Sequence, residues 1–263
     1  MNLPLPLMLL GAVALSALIL SGCQGPRPTS LNAARAIAQW CGQPPAFSAR
    51  LLVRSLAVSG DATQVTVYLW RAADGRTRLL VTKLDLDVLE LLIQRDGRFT
   101  AFAPRSGLQT AGDFNAATLP AGLADVRLLI SEVADGPLAA SLVPHLLTSS
   151  VATAPDRVLV GSVSPDRTVT VTLQPGADEV REKVLRDRQG SLLYQLRYRD
   201  YRAFDDFHRP TKVDGVVADG SSLTAYLRSF DALGDISPER MKLTIPATAR
   251  AVTVTEFLEH LEQ

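Results

Sequence analysis

From residue 47 to residue 112, apolar and polar side chains alternate with a period of two, which predicts strands. Phe47, Ala49, Leu51 and Val53 alternate with Ser48, Arg50, Leu52 and Arg54 in a run over 47–58. Runs 64–71 and 77–83 flank Asp74-Gly75, and runs 89–95 and 98–103 flank Asp96-Gly97. Asp-Gly pairs supply the positive φ that tight hairpin turns need, so these runs predict an antiparallel meander, with a further strand over 108–111. The pattern returns at 157–163 and 167–173 around Ser164-Pro165-Asp166, then at 179–188 and 192–201 around Gln189-Gly190. It continues at 211–218 and 222–230 around Asp219-Gly220, and a last strand is predicted over 241–245 before Pro246. Glu182, Lys183, Arg186, Asp187 and Arg188 predict that the strand over 179–188 is largely solvated.

Between the two β regions the period lengthens. Leu123, Val126, Ile130 and Val133 fit one helix face, and Gly136-Pro137 stops that helix. A second helix follows with Asp135 as cap, Pro137 in its first turn and Leu138, Leu142 and Leu146 as its stripe. Near the start, Ala34, Ile37, Ala38 and Cys41 make the face of a short helix capped by Ser30 and ended by Gly42 and Pro44-Pro45. At the end, Thr255 caps a closing helix carrying Phe257, Leu258 and Leu261. In the run 65–70 both faces carry apolar bulk, and Phe99 and Phe102 fall on opposite faces. A one-sided sheet alternates cleanly, so something covers each face here: helices, a second layer or a ligand.

The chain begins with an uncharged apolar run over 3–20, followed by Leu20-Ser21-Gly22-Cys23 and a Pro-broken polar stretch over 24–30. A small-residue site after an apolar run reads as a processing signal. Cys directly after Leu-Ser-Gly resembles the bacterial lipoprotein signal, which implies cleavage before Cys23 and acylation of its thiol. The alternative is an uncleaved helix, since about 18 apolar residues just span a bilayer. Pro4 and Pro6 interrupt that helix, although the n-region has no Lys or Arg. One acyl chain holds only marginally and more than one holds stably, so the implied anchor is stable. The tether over 24–30 reaches at most about 25 Å, which keeps the body near its membrane. Gln24, where Asp would resemble an inner-membrane retention signal, points to the outer membrane, facing the periplasm. The resulting division is 1–22 leader, 23–30 lipidated tether and 31–263 one domain.

Charge and composition narrow the function classes. Lys plus Arg and Asp plus Glu both number 27, so no basic excess draws nucleic acid or an anionic surface. After cleavage roughly 240 residues remain, ample for one β-rich core. With Cys23 acylated, Cys41 has no partner within the chain and reads as a small buried apolar residue. No zinc-ligand spacing occurs, and no Gly-x-Ser-x-Gly, His-Glu-x-x-His, phosphate-binding loop or dinucleotide fingerprint. His145 reads as a core or edge residue and His260 as exposed. Asp205, Asp206 and His208 have metal-ligand chemistry, but they lie in a predicted loop over 203–210, where such residues serve as solvated turn formers. Tyr194 and Tyr198 share a strand face with Leu192 and Leu196, and cross-strand packing accounts for them. The expectation is a protein that is not an enzyme and has neither metal nor cofactor.

The order of leader, short helix, meander, central helices and second meander resembles the LolA/LolB lipoprotein-carrier superfamily. The matching pieces are Trp70 with Asp74-Gly75, then Arg95-Asp96-Gly97-Arg98-Phe99 leading to Pro104. Tyr198-Arg199-Asp200-Tyr201 runs toward Arg209-Pro210, and 241–245 ends at Pro246. The resemblance implies an α+β fold: a strongly curved antiparallel sheet, an unclosed barrel of about 10–12 strands, wrapped around a few helices. It further implies a hydrophobic ligand or lipoprotein acyl chain held between sheet and helices, with a role in lipid or lipoprotein transport. Val67, Leu69, Phe99, Ala101, Val126 and Ile130 are the expected lining. The membrane-bound members project a Leu from a loop; here the stretch is Lys83-Leu84-Asp85-Leu86-Asp87, in which Leu84 and Leu86 are either that exposed loop or strand core. The soluble carrier closes its lid with an early-strand Arg, and Arg50 and Arg54 occupy a similar strand, where a solvated or ion-paired Arg is the commoner explanation. The alternative function is a structural or sensory envelope lipoprotein that binds a protein partner and no lipid.

Overall fold

The computed structural model describes residues 44–261 apart from 117–118, 139–141, 148–149, 153–156 and 175–178. The expected leader, Cys23, the expected tether and the predicted helix up to Cys41 fall outside the described residues.

Six strands come first: β1 (Ala46–Leu56), β2 (Ala62–Arg71), β3 (Thr77–Lys83), β4 (Leu86–Ile93), β5 (Arg98–Ala103) and β6 (Leu108–Asp113). Helices α1 (Ala121–Asp135) and α2 (Val143–Leu147) follow. The second meander is β7 (Ser150–Ala152), β8 (Arg157–Ser164), β9 (Arg167–Leu173), β10 (Val180–Asp187), β11 (Leu192–Phe204), β12 (Phe207–Val217) and β13 (Ser222–Leu233). A 3-10 turn (Pro238–Met241), β14 (Arg250–Ala251) and α3 (Val254–Leu261) close the chain. All strands join one sheet in the order β14-β6-β5-β4-β3-β2-β1-β13-β12-β11-β10-β9-β8-β7. It is an unclosed sheet, antiparallel throughout except where β14 runs parallel to β6. In the sheet, among the described residues, the two meanders are joined where β1 pairs with β13, from Ala46 opposite Leu233 to Leu56 opposite Ser222.

The α+β architecture is therefore as expected, with 14 strands rather than 10–12. The additions are β7 and β14, three and two residues long, too short to leave an alternation. The predicted strand over 241–245 is not one. Met241 ends the 3-10 turn and residues 242–246 have no ladder partner. Its alternation is real, but it serves to bury Met241, with Ile236, against Ala46, Ala72 and Trp70 on the outer face. That segment is part of what covers the second greasy face. The second central helix begins at Val143, not near Pro137. In α3 the cap is Thr253, whose Oγ1 accepts from the Glu256 amide at 3.2 Å, rather than Thr255.

Register makes the inner face explicit. Ala49, Leu69, Leu79, Leu91 and Ala101 lie side by side on β1 to β5, each at most 4% exposed. Leu123, Ile130, Val133 and Ala134 of α1 and Phe257 of α3 pack on this half. Each Leu, Ile, Val or Phe among them contributes roughly 1.5–3 kcal/mol by leaving water. Over β8 to β11 a second cluster forms with Leu138, Val143 and Leu146. There α2 comes so close to β8 that a Cβ at Gly161 would stand 2.7 Å from the His145 carbonyl oxygen, so only Gly fits.

Candidate functional site

Helix α1 lies on the inner face and meets the two halves of the sheet differently. Toward β1–β6 it presents Leu123, Ile130 and Val133. Toward β10 and β11 it presents Leu128 and, one turn later, Glu132. The Glu132 carboxylate takes an ion pair from Lys183 Nζ of β10, and both side chains are under 8% exposed. Its second oxygen accepts from the Tyr198 hydroxyl of β11 at 2.6 Å. Lys183 Nζ also stands 5.9 Å from the Tyr198 ring centre. Burial, with the adjacent Glu132 charge, pushes the Tyr198 phenol well above its ordinary range. Burying two ions is expensive unless their partners are complete, so this node ties one turn of α1 to two strands. At the helix end Asp135 stands 4.0 Å from Arg71. Burial outweighs that neighbour and raises the Asp135 carboxyl.

Arg209 of β12 completes the inner face beneath the helix. It is 1% exposed, with its guanidinium 5.1 Å from the Phe230 ring centre and 5.9 Å from that of Phe207. Between this Arg, the Glu132 node and the apolar half lies a cavity of about 40 Å³. Its walls are Leu51, Leu128, Leu129, Val133, Leu196, Val213, Leu223, Ala225 and Leu227, with Glu132 and Arg209. That volume holds a water or two, not an acyl chain. An apolar ligand fits there only when α1 moves off β10–β13. The opposite face over β8–β11 carries a larger hollow of about 1130 Å³, but Glu179, Arg181, Glu182, Arg197 and Arg199 line it, which suits no hydrocarbon.

The residues expected as lining are brought together. Val67, Leu69, Phe99 and Ala101 lie on the inner face with Val126 and Ile130 against them, in one packed cluster. The cavity begins beside them, at Leu51, and runs the other way. Sequence reasoning missed Glu132, Lys183, Tyr198 and Arg209 as its polar parts. The strand over 179–188 is not largely solvated: Val180, Lys183, Val184 and Leu185 are buried. Lys183 between Glu182 and Val184 was the available signal, a charge on the face that Leu185 shares. Arg50 and Arg54 face away from the helices and are exposed, so the Arg beneath α1 is Arg209 instead.

The predicted loop over 203–210 is a hairpin. Asp205 and Asp206 form its turn, and His208 sits on β12 opposite Ala203. Its Nε2 lies 2.9 Å from Glu179 Oε1, and its ring stacks on Tyr201 at 5.3 Å. Among the described residues no group of three His, Cys, Asp or Glu could hold a metal ion. His145 and His260 are both exposed.

Leu84 and Leu86 are not strand core: they are 90% and 55% exposed. Leu84 and Asp85 form a two-residue turn with φ of 53° and 62°, a left-handed conformation that a Leu adopts only at a cost of about 1–3 kcal/mol. Among the described residues the other large exposed apolar ones are Leu56, Val58, Val163 and Val216. By strand direction, all six stand at hairpin ends on one edge of the sheet. No helix among the described residues is long and apolar enough to cross a membrane.

No protein-family model and no curated protein matches the chain. Solved structures do. A LolA superfamily protein from Nitrosomonas europaea aligns with a TM-score of 0.55 at 14% identity, covering 81% of this chain and 97% of that one. A DUF1329 family protein from Desulfovibrio piger gives 0.55 at 11% identity, with 82% and 97% covered. A putative outer membrane lipoprotein-sorting protein domain from Vibrio parahaemolyticus gives 0.52 at 13% identity, with 81% and 95% covered. At such identities the likeness is one of fold: the unclosed sheet wrapped on helices is the LolA-type fold.

Proposed function

We propose that this protein is a non-enzymatic envelope lipoprotein, anchored through acyl chains on Cys23, that takes up a lipid or acyl chain between α1 and the inner face of β10–β13. The observation that carries the reading is the seating of α1. One flank is fixed by apolar packing, and the other is held over an apolar cavity by a buried ion pair. Lifting that flank exposes Leu51, Leu196, Val213, Leu223 and Leu227, and their burial against a chain drives binding at about 25 cal/mol per Å² before association costs. Val67, Leu69, Phe99, Ala101, Val126 and Ile130 form the fixed wall beside it and meet a longer ligand's far end. Leu84 and Leu86 stand at the exposed edge, where they meet the bilayer or the incoming chain.

The test is solvent extraction and mass spectrometry of the protein purified from its envelope, with uptake of a hydrophobic fluorescent dye by the chain from residue 24 onward. Co-purified lipid and dye uptake that lipid displaces support the reading. Neither lipid nor dye, with one stoichiometric envelope protein captured instead, replaces it by the partner-binding alternative. Cys23→Ser should release the protein from the membrane fraction.

A further inference from the structure

The outer face of the sheet, away from the helices, carries a second constellation. Tyr226 of β13 pairs with Lys212 of β12, and three cations stand over its ring. Arg228 Cζ lies at 5.3 Å, Arg54 Cζ at 5.7 Å and Lys212 Nζ at 5.8 Å from its centre. A ring face favours one cation; three converging on it repel one another. Carboxylates balance them only in part. Asp214 lies 3.5 Å from Lys212 but also 3.6 Å from Arg199. Arg54 Nε donates to the neutral Gln64 at 2.8 Å, and among the described residues neither Arg54 nor Arg228 has an ion pair.

One left-handed residue and one β-bulge shape the place. Asp200, at φ 56°, is left-handed in mid-strand between the pairs Arg199–Lys212 and Tyr201–Pro210, where Thr211 stands across from it and donates its hydroxyl to the Asp200 carbonyl at 2.7 Å. Arg228 is extra between Leu51–Leu227 and Arg50–Ser229. Bulges bend strands and re-aim side chains. Here the bulge and Asp200 border a hollow of about 340 Å³ lined by Arg202, Thr211, Lys212, Tyr226, Leu227 and Arg228, with the acidic Asp200 among them.

We propose that this hollow binds a phosphate group, held by Arg202, Lys212 and Arg228 beside Tyr226, with Arg54, over the same ring but outside the hollow's lining, adding to the positive field. Guanidinium forks match phosphate oxygens bidentately, and the negative charge of a phosphate monoanion or dianion relieves the repulsion that the cations now share. The phosphate is either free or part of a lipid headgroup. The second source is within reach, because Arg54 is two residues from exposed Leu56 and Lys212 four from exposed Val216 on the same strands. The site lies on the face opposite α1 and does not depend on ligand uptake beneath that helix.

The test titrates the full chain, purified in neutral detergent, with inorganic phosphate and separately with dihexanoylphosphatidylglycerol, by calorimetry against sodium chloride at matched ionic strength. The variants are Arg54→Gln/Arg228→Gln, both exposed changes, and Arg95→Gln/Arg105→Gln, which removes equal charge at distant turns. Binding that falls at least about tenfold in the first variant and holds in the second supports the site. Its appearance with phosphate assigns a free anion, and its appearance with the lipid alone assigns a headgroup. Absence of binding to both, or equal binding by wild type and the first variant, overturns it. So does an equal loss in both variants.

Discussion

The two halves of the sheet present opposite solutions to one problem, how to seat a helix on a concave face. Across β1–β5 the seat is apolar, with Ala49, Leu69, Leu79, Leu91 and Ala101 in line beneath Ile130 and Val133. Across β10–β12 the same helix meets Lys183, Tyr198 and Arg209, with a cavity between. Apolar packing is non-directional and tolerates a small shift. A buried ion pair is all or nothing: it holds while complete and opposes docking once one partner is gone. The difference teaches that α1 has a fixed flank and a switchable one.

The largest expected effect comes from breaking the switchable flank. Lys183→Met leaves the Glu132 charge buried without its counterion and should cost about 3–5 kcal/mol in urea unfolding. Glu132→Leu/Lys183→Met should recover most of that loss while increasing dye uptake, because the latch is gone. A Lys183→Met protein as stable as wild type would mean that the pair does not hold the helix. Leu91→Ala on the apolar side should cost about 2–5 kcal/mol, with the spread set by how far the cavity collapses, and should leave dye uptake per folded molecule unchanged.

Tyr198→Phe removes one hydrogen bond to a charged group and should cost about 1.5–3 kcal/mol. In the intact protein, alkaline titration of phenolate absorbance should show Tyr194 and Tyr198 resisting ionisation beyond the ordinary range, since burial raises both. Asp135 gives the smallest effect. Its raised carboxyl means that the folded state holds a proton which the unfolded chain releases near pH 4. That contribution is complete below about pH 4 and is lost as pH rises through the raised value. Asp135→Asn should therefore stabilise slightly at neutral pH and not at all at about pH 3.

The sheet was largely legible because period-two patterns and Asp-Gly turns are local. Gly75 and Gly97 have the positive φ that those dipeptides announce, and the hairpins around them form where expected. The face bearing Val67, Leu69, Phe99 and Ala101 was legible for the same reason. The cavity was not. It depends on which strand lies beneath which turn of α1, and nothing local says that Glu132 lands on Lys183 rather than in water. A charge-rich strand such as 179–188 reads as solvated until a helix bearing the opposite charge is laid on it. The hairpin around Asp205 was hidden because its left-handed turn uses Asp and not Gly. The exposure of Leu84 was left open between exposed loop and strand core, because a Leu in a positive-φ turn runs against propensity.

The seam between β1 and β13 has a consequence for how the molecule comes into being. Each meander is a ladder of short hairpins that can zip as soon as its own residues emerge. Neither can find the other until Ser222–Leu233 is made, and only then does Ala46–Leu56 gain its second neighbour. Until that moment the first sheet carries a bare, partly apolar edge. Joining edges so distant along the chain is slow, because loop closure precedes its reward. A chain cut short before residue 222 would thus carry two open-edged sheets prone to pairing with other copies rather than a smaller version of the same vessel.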